Sequence, residues 1–79
     1  MEDIITKRLN ILKPTELKII NDSHLHRGHR GNNGGEHYTI HIGSPFFKNK
    51  SLIEKHRMIY DLLDDLMPNQ IHALQIKVT

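Results

Sequence analysis

The chain has 79 residues, 11 basic and 9 acidic side chains, seven histidines and no cysteine. A chain this short makes one domain that buries only about 60% of the surface its unfolded form exposes, so it cannot wall off a large substrate cavity and reads as a binding module before an enzyme. Without thiols it has no disulfide and no thiolate nucleophile, and a metal site must use nitrogen or oxygen, or sulfur lent by another molecule. The segment "MEDIITKRLN" is charged and amphipathic rather than leader-like, and no apolar run approaches the ~20 residues of a membrane helix. A cytosolic protein without a membrane partner is the expectation. "DIITKRLNILKP" predicts a short helix capped by Asp3, with Ile4, Ile5, Leu9 and Leu12 at helical spacing and Pro14 preventing continuation. "TELKIIND" predicts a first strand. From Glu36, "EHYTIHIG" alternates, with Tyr38, Ile40 and Ile42 on the core face and His37, Thr39 and His41 on the other. "GSPFFKNK" is a turn region in which at least one phenylalanine plugs the core edge. "SLIE" then matches a capping box, Ser51 with Glu54, opening a second helix whose broad apolar face holds Leu52, Ile53, His56, Ile59, Tyr60, Leu63 and Leu66. Pro68 and Asn69 end it. "IHALQIKV" is the last strand, with Ile71, Ala73, Gln75 and Lys77 on one face and His72, Leu74, Ile76 and Val78 on the other.

The order is α-β-β-α-β. Two strands joined by a loop pair antiparallel, whereas a helical crossover places the next strand parallel. The expected fold is an α/β (α+β) three-stranded mixed sheet with helices on one face.

That topology bears on the histidines. The stretch from Ser23 to His37 carries four of the seven histidines and four of the five glycines, too glycine-rich for a helix or strand. If the last strand runs parallel to the second, it starts at the same sheet end. Its second residue, His72, then stands near the loop bearing His24, His26 and His29. Imidazole is the commonest metal-ligating side chain, and one fixed histidine plus one loop histidine makes half a metal site. The bland alternatives are a solvated loop and a structural His72. His56 reads as packing, and His41 has no convergent partner. "HLHRGH" matches no zinc pattern, "GNNGG" is not a dinucleotide fingerprint, and no oxyanion hole supports a Ser23 nucleophile.

The motifs together resemble the BolA family over nearly the whole chain. The matching residues run through "LKPTELKIINDSHLHRGH", then "GGEHYTIHIGSPFFKNKSLIEKHRMIYDLLDDLM", then "IHAL". The family's D-x-S-x-x-H, Gly-His, H-[FY], [RK]-H-R-x-[VI]-Y and [VI]-H-A-L occur in order. Three positions depart from the usual pattern: Glu36 directly abuts His37, Lys55 stands where arginine is usual, and Tyr38 where phenylalanine is. The resemblance implies a class II KH-like fold, no enzymatic activity, and partnership with a monothiol glutaredoxin. It further implies a shared [2Fe-2S] cluster, with glutaredoxin and glutathione thiolates on one side and histidine on the other. Carried onto this sequence, the ligands are His72 and His26, with His29 as the alternative to His26. Histidine ligation of one iron raises the potential relative to thiolate. Ligation needs neutral imidazole, so assembly weakens below about pH 6.5.

A nucleic-acid-binding regulator is the competing reading, since the family is also linked to transcription and KH-like folds bind nucleic acid. "GSPFFK" lacks the second glycine of a G-x-x-G clamp, but Lys48, Lys50, Lys55 and Arg57 form a basic cluster near the second helix. A solvated helix end is the plain alternative. DNA and a weak homodimer both stay open as partners.

Overall fold

The computed structural model describes residues 1–22 and 36–79. Its first helix, α1 (Glu2–Leu9), continues as a 3-10 turn over Asn10–Leu12. Asp3 is not the cap: the N-cap is Met1, without a side-chain bond, and Asp3 lies in the first turn beside Glu2. Both carboxylates there complement the positive end of the helix. Of the predicted apolar stripe, Ile5, Leu9 and Leu12 are buried and Ile4 is exposed. The chain leaves the turn through Lys13 at φ 47°, ahead of Pro14. The residue before a proline is disfavoured in the right-handed helical region, which helps end the run here.

Strand β1 (Glu16–Asn21) pairs antiparallel with β2 (Glu36–Gly43), and β2 pairs parallel with β3 (Ile71–Val78), so β2 is central. The crossover from β2 to β3 runs through a 3-10 turn at Pro45–Phe47, helix α2 (Leu52–Leu63) and a second 3-10 turn at Asp64–Leu66. The capping box is present in full. Glu54 N–H donates to Ser51 Oγ at 3.1 Å and Ser51 N–H to Glu54 Oε1 at 3.4 Å, satisfying two donors at the helix start and its cap.

The core lies between the helices and one sheet face. Tyr38, Ile40 and Ile42 from β2 meet Ile5, Leu9 and Leu12 from the first helical segment. Ile59, Leu63 and Leu66 complete it from the second. The apolar face of α2 is narrower than its sequence suggests: Leu52 and Ile53 are 60% and 66% exposed. They sit in the first turn, before the helix reaches the sheet. Phe47 is buried and Phe46 is exposed, so one phenylalanine closes the core. Arg8 joins the two helices across the outside, donating to Leu62 O at 3.1 Å and pairing with Asp65 through both guanidinium nitrogens.

The last strand departs from strict alternation. Glu36 lies opposite Ile71 and His37 opposite Ala73, so His72 is an extra residue on β3. This bulge shifts the parity of everything before it. Ile71 therefore joins Leu74, Ile76 and Val78 on the core side, fully buried, and His72 is turned out to solvent. The sequence pattern had placed His72 with Leu74 and Ile71 with Ala73. The correction has a direct cause: burying Ile71 and exposing an imidazole are both favourable, and one inserted residue achieves both.

Candidate functional site

The end of the sheet where β2 and β3 begin carries the polar side chains. Asn21 closes β1 there, Glu36 opens β2, and Glu36 N–H donates to Gln70 O at 3.3 Å just before β3. Asp22 N–H donates to His37 O at 2.7 Å. The two described residues that flank the histidine-rich segment, Asp22 and Glu36, are thus fixed at the sheet end where His72 stands. The candidate ligands His26 and His29, like His24, lie outside the described residues.

His72 is exposed on its bulge, and the ring of His37 is its neighbour, with centroids 5.1 Å apart and planes tilted by 47°. Sequence reasoning missed this pairing. The signal was present in the parallel register, which starts β2 and β3 together and so brings "EH" beside "IH". Among the described residues, no group of three or more His, Cys, Asp and Glu is placed to hold a metal ion. Two imidazoles from two strands match the donor class expected of a partial site. They offer nitrogen donors only.

Side chains on the two faces hold this end together. On the helix side, Glu36 Oε2 accepts from Asn21 Nδ2 at 2.6 Å and from the Tyr38 hydroxyl at 2.5 Å. Tyr38 is buried. Burial, then the bond to the Glu36 carboxylate, pushes its phenol well above the ordinary value. The Tyr38 hydroxyl, which a phenylalanine would lack, thus fixes the Glu36 carboxylate that precedes His37. On the open face, the Thr39 hydroxyl donates to Asp22 Oδ2, and Thr39 is buried although it faces away from the helices. A cleft of about 190 Å³ runs along this face, lined by Asp22, His37, Thr39 and Gln75 among others.

The remaining candidates lie elsewhere. His41 is half-buried on the open face, opposite Lys18 and Lys77 in register. His56 is half-buried on α2. In the basic group, Lys48, Lys50 and Arg57 are exposed and Lys55 is half-buried. Glu54 sits among them. Its bonds to Ser51, then the charges of Lys50 and Arg57, hold its carboxyl below the usual range. The sequence GSPFFK forms no open glycine clamp: Ser44 Oγ caps the 3-10 turn, accepting from Phe46 N–H at 3.1 Å.

Comparison with known proteins agrees with this fold. The family model described as "BolA-like protein" matches residues 9–79. The chain belongs to the BolA-like family. It is 41% identical over 71 residues to the "SufE-like protein 1, chloroplastic/mitochondrial" of Arabidopsis thaliana, covering 82% of this chain and 19% of that protein. It is 36% identical over 77 residues to a BolA-like protein of Dictyostelium discoideum, covering 96% and 63%. A Haemophilus influenzae relative, 39% identical over 64 residues and covering 81% and 60%, is named "DNA-binding transcriptional regulator BolA". This chain therefore spans less than two thirds of the length of each of these relatives. Among solved structures, "BolA1 from Arabidopsis thaliana" superposes with a TM-score of 0.86 at 31% identity, covering all of this chain and 89% of the other. BolA-like relatives thus include proteins with organellar names, and the family alone does not assign this chain to the cytosol. No helix among the described residues is long and apolar enough to cross a membrane.

Proposed function

We propose that this BolA-like chain is a non-enzymatic, cytosolic partner of a monothiol glutaredoxin and shares a [2Fe-2S] cluster with it through histidine, in iron–sulfur cluster handling or iron sensing. The observation that carries this reading is the exposed bulge residue His72. It stands at the sheet end where both flanks of the segment bearing His26 and His29 attach. His72 and one of His26 or His29 would be the ligands. The donor set fits a partner supplying sulfur, because this chain has no cysteine. The bound cluster would supply electron-transfer or cluster-transfer chemistry. The chain's own part is to hold imidazole at a solvent-facing rim: Ile71 anchors β3 beneath the bulge, and Glu36, held by Asn21 and Tyr38, fixes the start of β2 beside it.

The test is a titration of cluster-loaded monothiol glutaredoxin, with its glutathione, followed by visible absorption and circular dichroism. Addition of the chain changes both spectra, and His72→Ala abolishes the change. An unaltered response with His72→Ala rejects the ligand assignment.

DNA binding is the second reading, favoured by the name of the Haemophilus relative and by the exposed Lys48, Lys50 and Arg57, with Lys55 beside them. A gel-shift titration on duplex DNA at two salt concentrations checks it. Phosphate contacts make affinity fall steeply with salt. No shift at either salt up to tens of micromolar, roughly the strength of non-specific contact, rejects DNA as the main target.

A further inference from the structure

The outer edge of β3 is the longest stretch of described strand backbone that no other described strand covers. Successive residues of a strand direct their N–H and C=O to alternate sides. Thr79 N–H donates to Ile42 O at 3.0 Å, so Thr79, Lys77 and Gln75 address β2. Val78, Ile76 and Leu74 therefore direct their backbone groups outward. The Tyr60 hydroxyl confirms this direction by reaching the Leu74 carbonyl from α2 at 3.4 Å. It is a long contact at one end of the edge, and among the described residues β3 pairs with β2 alone. Beyond the bulge at His72 the register with β2 is regular, so the free edge is not twisted away by a further bulge. It contains no proline and one charge, Lys77. Those are the devices by which edge strands usually resist pairing.

We propose that this edge pairs antiparallel with the same edge of a second copy of the chain, about a two-fold axis at Ile76. Self-complementarity selects the occupant and the register. With the axis at Ile76, that residue faces the partner's Ile76, and Leu74 faces the partner's Val78. All the outward N–H and C=O groups of these residues then find partners. Their side chains, half-buried in one copy, continue each other's apolar rim. On the open face, Lys77 falls opposite the partner's Gln75, an uncharged acceptor. Moving the axis to Lys77 would instead set two ammonium groups face to face, which cross-strand pairing disfavours. Gln75 and Lys77 form the non-hydrogen-bonded pair of the new ladder, where side chains approach most closely. The formal charge of +2 per chain adds little repulsion. His72 lies outside the paired stretch, so a dimer formed this way keeps its candidate ligand accessible in each copy.

Sedimentation of the full chain over a concentration series tests the pairing. The weight-average mass rises from 9.2 kDa toward twice that value. Gln75→Lys, at an exposed position, sets like charges opposite each other twice per dimer and returns the mass to the monomer value. Combining Gln75→Lys with Lys77→Glu restores opposite charges and restores the dimer, so loss of folding is not the cause. Ile76→Pro removes an outward N–H without touching the β2–β3 ladder and also gives monomer. A mass that stays monomeric up to about 1 mM, the weak limit of useful affinity, overturns the proposal. So does a dimer indifferent to Gln75→Lys, which would place the interface elsewhere.

Discussion

The two ends of the sheet are both closed by backbone and differ in the side chains they carry. At the end where β2 finishes, backbone closes the structure: Thr15 N–H reaches Gly43 O at 2.9 Å and Thr79 N–H reaches Ile42 O at 3.0 Å. Ser44 Oγ donates to Leu12 O at 2.6 Å, tying the strand exit to the first helical segment. Gly43 suits this crowding, since an added Cβ would lie 2.5 Å from Thr79 Oγ1. At the opposite end Asp22 N–H to His37 O and Glu36 N–H to Gln70 O close the structure in the same way, and polar side chains are added: Glu36 with Asn21 and Tyr38 on one face, Asp22 with Thr39 on the other, and His37 against His72 at the rim. The end where β3 begins leaves the His72 imidazole outside the packing, where a second molecule can reach it.

The sharpest contrast lies between neighbours at the end where β3 begins. Ile71→Ala should cost about 2–5 kcal/mol in urea unfolding, as for other large-to-small core changes, while His72→Ala stays within about 0.5 kcal/mol. Equal costs would mean that the bulge does not separate packing from display. Asp22→Ala leaves the buried Thr39 hydroxyl without its acceptor and should cost about 1–3 kcal/mol. Thr39→Val should cost less, because Asp22 is partly exposed and is rehydrated. Tyr38→Phe should cost about 1 kcal/mol and also alter the alkaline limb. The folded-state phenol is raised, so its contribution is full below the ordinary value near 10 and is lost as pH rises above it. Base unfolding of Tyr38→Phe is correspondingly shallower.

At the end where β2 finishes, Gly43→Ala should cost about 1 kcal/mol or less, because the atom it meets is the end of a Thr79 side chain that can turn away. The smallest effect concerns the Arg8–Asp65 pair outside both ends. The hydrogen bond from Arg8 holds the Asp65 carboxyl below its usual range. The pair's contribution is present above the ordinary carboxylate value and is lost as pH falls through the lowered one. Asp65→Asn therefore flattens the acid limb slightly, and the flattening is weaker in high salt.

Much of this was legible in the sequence, for identifiable reasons. Period-two alternation in "EHYTIHIG" placed Tyr38, Ile40 and Ile42 in the core, and Ser51 with Glu54 announced the start of α2. The rule that a helical crossover joins parallel strands put His72 at the sheet end to which the histidine-rich segment is tied. The misses have physical causes. Asp3 resembles a cap, yet the helix begins before it. Leu52 and Ile53 follow the apolar period but precede the point where α2 meets the sheet. The bulge at His72 cannot be read from alternation, because a single added residue reverses parity without changing composition. The closeness of His37 and His72 followed from register once β2 and β3 were aligned at their starts.

In the proposed function an imidazole displayed by the β3 bulge completes a metal site whose sulfur another protein provides. Pulsed electron paramagnetic resonance on the reduced mixed complex with cluster-loaded monothiol glutaredoxin, using chain labelled with ¹⁵N-histidine, tests it most directly. Ligation by His72 gives ¹⁵N couplings from directly bound imidazole, diminished in His72→Ala and retained in His41→Ala. Couplings unchanged by His72→Ala, or absent from the wild-type complex, would contradict it.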